Sequence, residues 1–154
     1  MEFITGLLHN TVLVAAVMGW FIAQLLKTII HLILTKKLVM ERMVGSGGMP
    51  SSHAATVCAL ATATGLEYGA DSFAFAIAII LAIIVMHDAR GVRWETGVQA
   101  RILNEMMDVF RSMGTKMTAE EKLKEFVGHT PLQVIVGAVL GILIGAATWW
   151  LMTR

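Results

Sequence analysis

Charge is what this sequence has least of. Only 15% of its 154 residues are Asp, Glu, Lys or Arg, 56% are hydrophobic, and the formal net charge is +1. A soluble domain carries charge at about a quarter of its positions. The composition therefore excludes an ordinary water-facing surface and reads as an integral membrane protein. A charge balance this close to zero offers nucleic acid no electrostatic footing, so none is expected as a partner. Cysteine is nearly absent as well. Cys58 stands alone, which excludes an intramolecular disulfide and any multi-cysteine metal site within one chain; set in an apolar run, it reads as packing. Proline occurs twice, at Pro50 and Pro131, and each stands close to a histidine where a helix would start. There is no internal repeat and no low-complexity tract.

What is present is a series of long apolar runs. They predict an all-α fold: an integral membrane bundle of four transmembrane helices, at about 11–34, 52–68, 72–87 and 131–151, with a cytoplasmic amphipathic helical segment over 88–130, the whole of 1–154 forming one membrane domain. The start, Met1-Glu2-Phe3, has no basic n-region, so the first run is expected to be a retained helix and not a cleaved signal. At about 1.5 Å per residue that run crosses a hydrocarbon core of about 30 Å. Trp20, Gln24, Lys27 and His31 recur along it at helical spacing and share one face. Lys27 lies about 13 Å inside the Lys36-Lys37 boundary, too deep to snorkel, and is expected to face a cavity or a partner.

Ser51 or Ser52 can cap the second helix, whose Ala/Thr-rich run is only moderately hydrophobic and belongs among other helices. Glu67, Gly69 and Asp71 mark a turn before the third. From Asp88 to Thr130 the composition changes to seven basic and seven acidic residues. There Val98, Ile102, Met106, Val109 and Met113 keep a helical period, which predicts a helix lying on the membrane or on the bundle. Gly114 and Thr115 should break it, and 119–126 suggests a short charged helix. In the fourth helix Gly137, Gly141 and Gly145 form a small-residue seam that admits another helix closely and permits a homo-oligomer. Trp149 and Trp150 belong at the far interface.

Orientation follows from counting. Ten Lys/Arg lie in the first and third connections, and only Arg154 lies on the opposite side. The positive-inside rule puts both connections in the cytoplasm and both termini outside. His31, His53, Asp88, Arg93 and His129, far apart in sequence, then all fall at the cytoplasmic helix ends. Among them lies Gly47-Gly48-Met49-Pro50-Ser51-Ser52-His53, where glycine amides and a helix start suit an oxyanion. Lys27 and Arg93 can add positive charge, and His53 and His129 can each serve as nucleophile or acid. Phosphoryl transfer needs little more.

Gly47 to Ala54, with His87-Asp88-Ala89-Arg90-Gly91-Val92-Arg93 through Gln99-Ala100 to Leu103-Asn104, and Gly128-His129-Thr130-Pro131 leading to Gly137, resembles the divergent branch of the type-2 phosphatidic acid phosphatases. That branch is described as related to acid phosphatases and vanadium-dependent haloperoxidases. The similarity runs from Ala23-Gln24 and Lys27 to the fourth helix. The resemblance implies a phosphohistidine at His129, with His53 as the acid that protonates the leaving alkoxide. It also implies phosphate oxygens held by Ser51 and the amide of Ser52, beside Gly48 and Lys27. The chain departs from the larger superfamily at several points. Leu34 stands where an arginine follows the lysine, Ser52 replaces a glycine, and Leu123 occupies the place of a phosphate-binding arginine. Arg93 is the first candidate to supply that charge and Lys124 the second. Gln133 stands where an aspartate orients the nucleophilic histidine; it can accept the imidazole N–H but adds no charge, and Asp88 is a candidate to do so from the third helix.

Asp88, Glu95 and Gln99, at spacings of seven and four, make either an oxygen-rich Mg²⁺ site for a diphosphate or a ladder of surface hydrogen bonds. The resemblance implies no required cofactor. The expected function is hydrolysis of a lipid phosphate at the cytoplasmic leaflet, on a phosphatidate- or phosphatidylglycerophosphate-like membrane lipid. The alternatives are a metal-dependent lipid diphosphatase or phosphotransferase, and a non-catalytic protein that binds lipid phosphate.

Overall fold

Short polar side chains open the long apolar helices. Asn10, Ser51, Ser72 and Thr130 each accept the amide of the residue three further on, Leu13, Ala54, Phe75 and Gln133, at 3.0, 3.4, 3.1 and 3.4 Å. Such caps matter most in a lipid setting, where water cannot satisfy the free amides of a helix start. The computed structural model describes residues 2–36, 48–113, 123 and 129–154, with the side chains of all but 92–94 and 111. Its helices are α1 (Glu2–His9), α2 (Thr11–Thr35), α3 (Ser52–Tyr68), α4 (Phe73–Arg90), α5 (Val92–Ser112) and α6 (Pro131–Met152). Among the described residues there is no strand.

Three helical stretches are long and apolar enough to cross a membrane: α2, the stretch Phe73–Phe110 that contains α4, and α6. The second of the four expected spans, α3, has 17 residues and stays just short. It is instead the hub on which α2, α4 and α6 pack. Ala54, Ala55, Ala59 and Ala63 of α3 are fully buried, and glycines of the neighbouring helices come down onto them. A Cβ added at Gly19 would lie 2.8 Å from the Ala55 carbonyl oxygen, one at Gly141 2.9 Å from Ala55 Cα, and one at Gly145 2.7 Å from the Ala59 carbonyl oxygen. Between helices in lipid, association rests on close van der Waals contact, which small residues on both sides permit. The α6 seam is thus filled by α3 of the same chain, and a second copy would have to use another surface.

One further feature differs from expectation, and another decides between two expected placements. Residues 2–9 form a separate helix, α1, closed off by Asn10; Phe3, Ile4 and Leu8 are exposed along it. On α5 the periodic apolar residues do not face the bundle, since Ile102, Met106, Val109 and Met113 are all exposed. Gly97, Ala100 and Asn104, three and four residues apart, are the buried face. The stripe therefore suits a membrane surface and not the bundle. The expected break at Gly114-Thr115 and the short helix over 119–126 lie outside the described residues.

The chain runs up and down so that four helix ends meet. The Ser51 amide donates to the Gln133 carbonyl at 3.1 Å, and the His129 amide donates to the Ala89 carbonyl at 3.0 Å. Gly48 rests on the stem of Lys27. At the opposite end, Trp149 Nε1 donates to Glu67 Oε2 at 2.9 Å.

Candidate active site

The meeting of helix ends brings together residues from α2, α3 and α6 and the turns before α3 and α6. His53 sits in the first turn of α3, and His129 directly precedes the cap of α6. Their rings meet edge to face, with centroids 5.7 Å apart and planes at 64°. His129 is 1% exposed and Ser51 fully buried. Ser51 is the cap of α3, so its hydroxyl is tied to the Ala54 amide, while Ser52 beside it is also buried.

Lys27 enters from α2 at 3% exposure, and its Nζ donates to Gln24 Oε1 at 2.7 Å. A buried ammonium at a helix-end cleft favours an anion placed nearby. Gly48 has φ +86°, and a Cβ added there would sit 3.3 Å from Lys27 Cγ. Of the polar stripe on α2, Gln24 and Lys27 turn inward and His31 is half-buried, but Trp20 faces out.

His129 is held at two points. Its backbone amide is fixed on Ala89, and its Nδ1 lies 3.3 Å from Gln133 Oε1. The same oxygen accepts the Thr130 amide at 3.1 Å, as part of a capping box that starts α6. A backbone N–H can only donate, which fixes that side-chain atom as the oxygen. In the neutral ring Nδ1 therefore carries the proton and Nε2 the lone pair. Helix capping thus sets the tautomer of the candidate nucleophile.

One prediction follows directly. Gln133→Leu removes the acceptor and, if His129 acts in catalysis, is expected to lower kcat by about 10- to 100-fold, the scale of loss when the hydrogen-bond partner of a metal-bound imidazole is removed. Gln133→Glu keeps an acceptor and should restore most of it. Steady-state kinetics on the two variants, with thermal unfolding to correct for the weakened cap, separates orientation from stability. An unchanged kcat in Gln133→Leu would remove Gln133 from this role.

Asp88 is half-buried on the last turn of α4. Glu95 and Gln99 are exposed on α5, and among the described residues no three His, Cys, Asp or Glu gather as metal ligands. Gly47, Lys124 and the Arg93 side chain lie outside the described residues. Sequence reasoning assigned no role to Asn104, which is 3% exposed. Its amide grips the backbone of Leu123 from both sides, donating to the carbonyl and accepting the N–H at 2.9 Å each. That clamp ties α5 to the chain six residues before His129. The available signal was a polar residue on the side of α5 away from its apolar stripe.

Comparison with known proteins supplies a context for this geometry. The pattern of the Divergent PAP2 family matches residues 8–144, a span that includes every residue of the site described above. Over 147 residues the chain is 38% identical to a protein of Bacillus subtilis (strain 168), "Uncharacterized membrane protein YuiD", covering 90% of this chain and 93% of that one. No solved structure matches.

Proposed function

This chain belongs to the divergent PAP2 family of membrane proteins, and from that premise we propose that it hydrolyses a lipid phosphate through a phosphohistidine. The observation that carries the reading is the contact between His53 and His129, brought together from the starts of two helices, with His129 buried and His53 half-buried. His129 Nε2 attacks phosphorus, the bond from phosphorus to the lipid oxygen breaks, and His53 gives its proton to the departing alkoxide. Water then attacks the phosphohistidine, His53 takes the proton back, the N–P bond breaks, and inorganic phosphate leaves. Lys27 spreads charge over the non-bridging oxygens, and the first amides of α3 add donors at a helix N-terminus. Asp88, Arg93 and Lys124 are further candidates to supply charge around this centre.

The site lies at the end of the bundle flanked by the two Lys/Arg-rich connections. The positive-inside rule makes that end cytoplasmic and points to substrates in the inner leaflet. The deciding experiment measures phosphate release from a panel of lipid phosphates by detergent-purified protein, with and without chelator. Release that persists in chelator is expected. Loss on chelation would favour a metal-dependent route, and binding of lipid phosphate with no release from any member would make the protein a binder and not an enzyme.

A further inference from the structure

The catalytic pair does not account for the cleft beside it. An open cavity of about 580 Å³ is lined by His87, Arg90, Gly91, Glu95, His129 and Pro131. That volume falls within the range of about 300–1,000 Å³ found for sites that enclose a whole small molecule, well beyond the needs of one phosphate. His129 is its only member from the catalytic pair.

The walls are built from the corner between α4 and α5. The Gly91 amide closes the end of α4 on the His87 carbonyl at 2.8 Å, and the Glu95 amide opens α5 on the Gly91 carbonyl at 3.0 Å. A Cβ at Gly91 would stand 3.1 Å from the His87 carbonyl oxygen, so the corner is tight. Arg90 and His87 therefore come from one side of it and Glu95 from the other. The same corner is tied to the nucleophile, because Ala89, next to Arg90, accepts the His129 amide. Arg90 and Glu95 are both exposed, and among the described residues neither has a hydrogen-bonding or ion-pairing side-chain partner. A guanidinium and a carboxylate that share a cleft without neutralising each other can both address a ligand.

We propose that this cleft is a headgroup subsite, resting on the phosphatase reading of His129. Arg90 binds a second anionic group of the substrate, beyond the phosphate that is removed. Glu95 accepts hydroxyl hydrogen bonds from the spacer between the two. The ligand class is a phosphate monoester on a hydroxylated spacer that is itself joined to the lipid through an anionic linkage. A phosphate attached directly to the lipid glycerol would leave Arg90 and Glu95 unused.

The test compares two lipids in mixed micelles, one with a single phosphate on diacylglycerol and one with a terminal phosphate on a glycerol spacer held by a phosphodiester. Wild type, Arg90→Gln and Glu95→Gln are assayed for kcat/KM. Binding is measured in parallel by displacement of a fluorescent lipid from micelles by the non-hydrolysable phosphonate of each. Wild type should prefer the two-phosphate lipid by about tenfold or more, the weight of one charge-assisted contact. Arg90→Gln should collapse that preference, chiefly through KM, and Glu95→Gln should reduce it less. Size-exclusion profiles and thermal unfolding of the variants check that they remain folded. Phosphate release with no preference in wild type, or a preference untouched by Arg90→Gln, would overturn the subsite and leave the phosphatase standing. Binding with an Arg90-dependent preference but no release would do the reverse.

Discussion

His129→Ala is expected to abolish phosphate release from lipid phosphates, with a loss of about four orders of magnitude or more, the scale on which removal of a nucleophile acts in other covalent mechanisms. The magnitude follows from the proposed pathway, in which every turnover passes through the Nε2–phosphorus bond. Gln133, at hydrogen-bonding distance from Nδ1, is an amide committed to the Thr130 cap and cannot take over as nucleophile. The backbone amide that anchors position 129 to Ala89 survives the substitution, so the variant should still purify as a folded protein. Rapid quenching with labelled substrate supplies the second readout. Wild type should retain acid-labile, base-stable phosphate, as a phosphoramidate does, and His129→Ala should not. His53→Ala tests the partner role: its defect should be largest on alkyl phosphates and smaller on aryl phosphates, whose leaving group needs no proton. Undiminished release by His129→Ala would end the phosphohistidine reading whatever His53 does.

Substitution of the α6 glycines should have the largest effect on stability. A Cβ at Gly137 would collide with the Ser51 carbonyl oxygen and come within 3.1 Å of Ser51 Cβ, and one at Gly141 would lie 2.9 Å from Cys58 Cβ. Most of these atoms belong to the backbone or to the first atom of a side chain, so the helices themselves must separate. Overpacking of this kind costs about 1–3 kcal/mol, and more where the backbone cannot yield. Gly137→Val and Gly141→Val should each lower the thermal midpoint in detergent by several degrees or prevent recovery of monodisperse protein. Gly6→Ala is the control, because no atom lies within 4 Å of its added Cβ. Gly137→Ala and Gly145→Ala separate the two roles of the seam. Both should destabilise, but Gly137 rests on the cap that positions His53, so its substitution should lower activity further than its stability loss predicts. Equal stability for the Val variants and wild type would mean that α3 and α6 do not pack as described.

Much of the architecture was legible because its signals are local. The expected boundaries 52–68 coincide with α3, and 11–34 and 131–151 fall within one residue of α2 and α6. Each has an Asn, Ser or Thr cap, with Gly69 ending α3 and Pro131 opening α6. α1 was hidden because Phe3, Leu7 and Leu8 join smoothly onto the apolar run that begins at Thr11. The side of α5 that packs was hidden for another reason. Its strongest periodicity belongs to the residues that stay exposed, and the buried face consists of Gly97, Ala100 and Asn104, too small and too mixed to stand out.

At the site the division is sharper. Sequence alone determined that His53 and His129 stand near helix ends on one side of a bundle, with Lys27 deeper in the first helix, because helix lengths and connecting turns force an up-and-down path. It also picked out Gln133 as the residue four positions after His129. Only the tertiary structure decided that the two histidine rings touch, that the glycine seam is occupied by α3 of the same chain, and that Arg90 and Glu95 share a cleft with His129. Caps and apolar periods are read within a turn or two of helix, where the chain is its own neighbour. Which helix fills a groove, and which nitrogen is left bare, depend on contacts between residues far apart in the chain, and those exist only once the helices have packed.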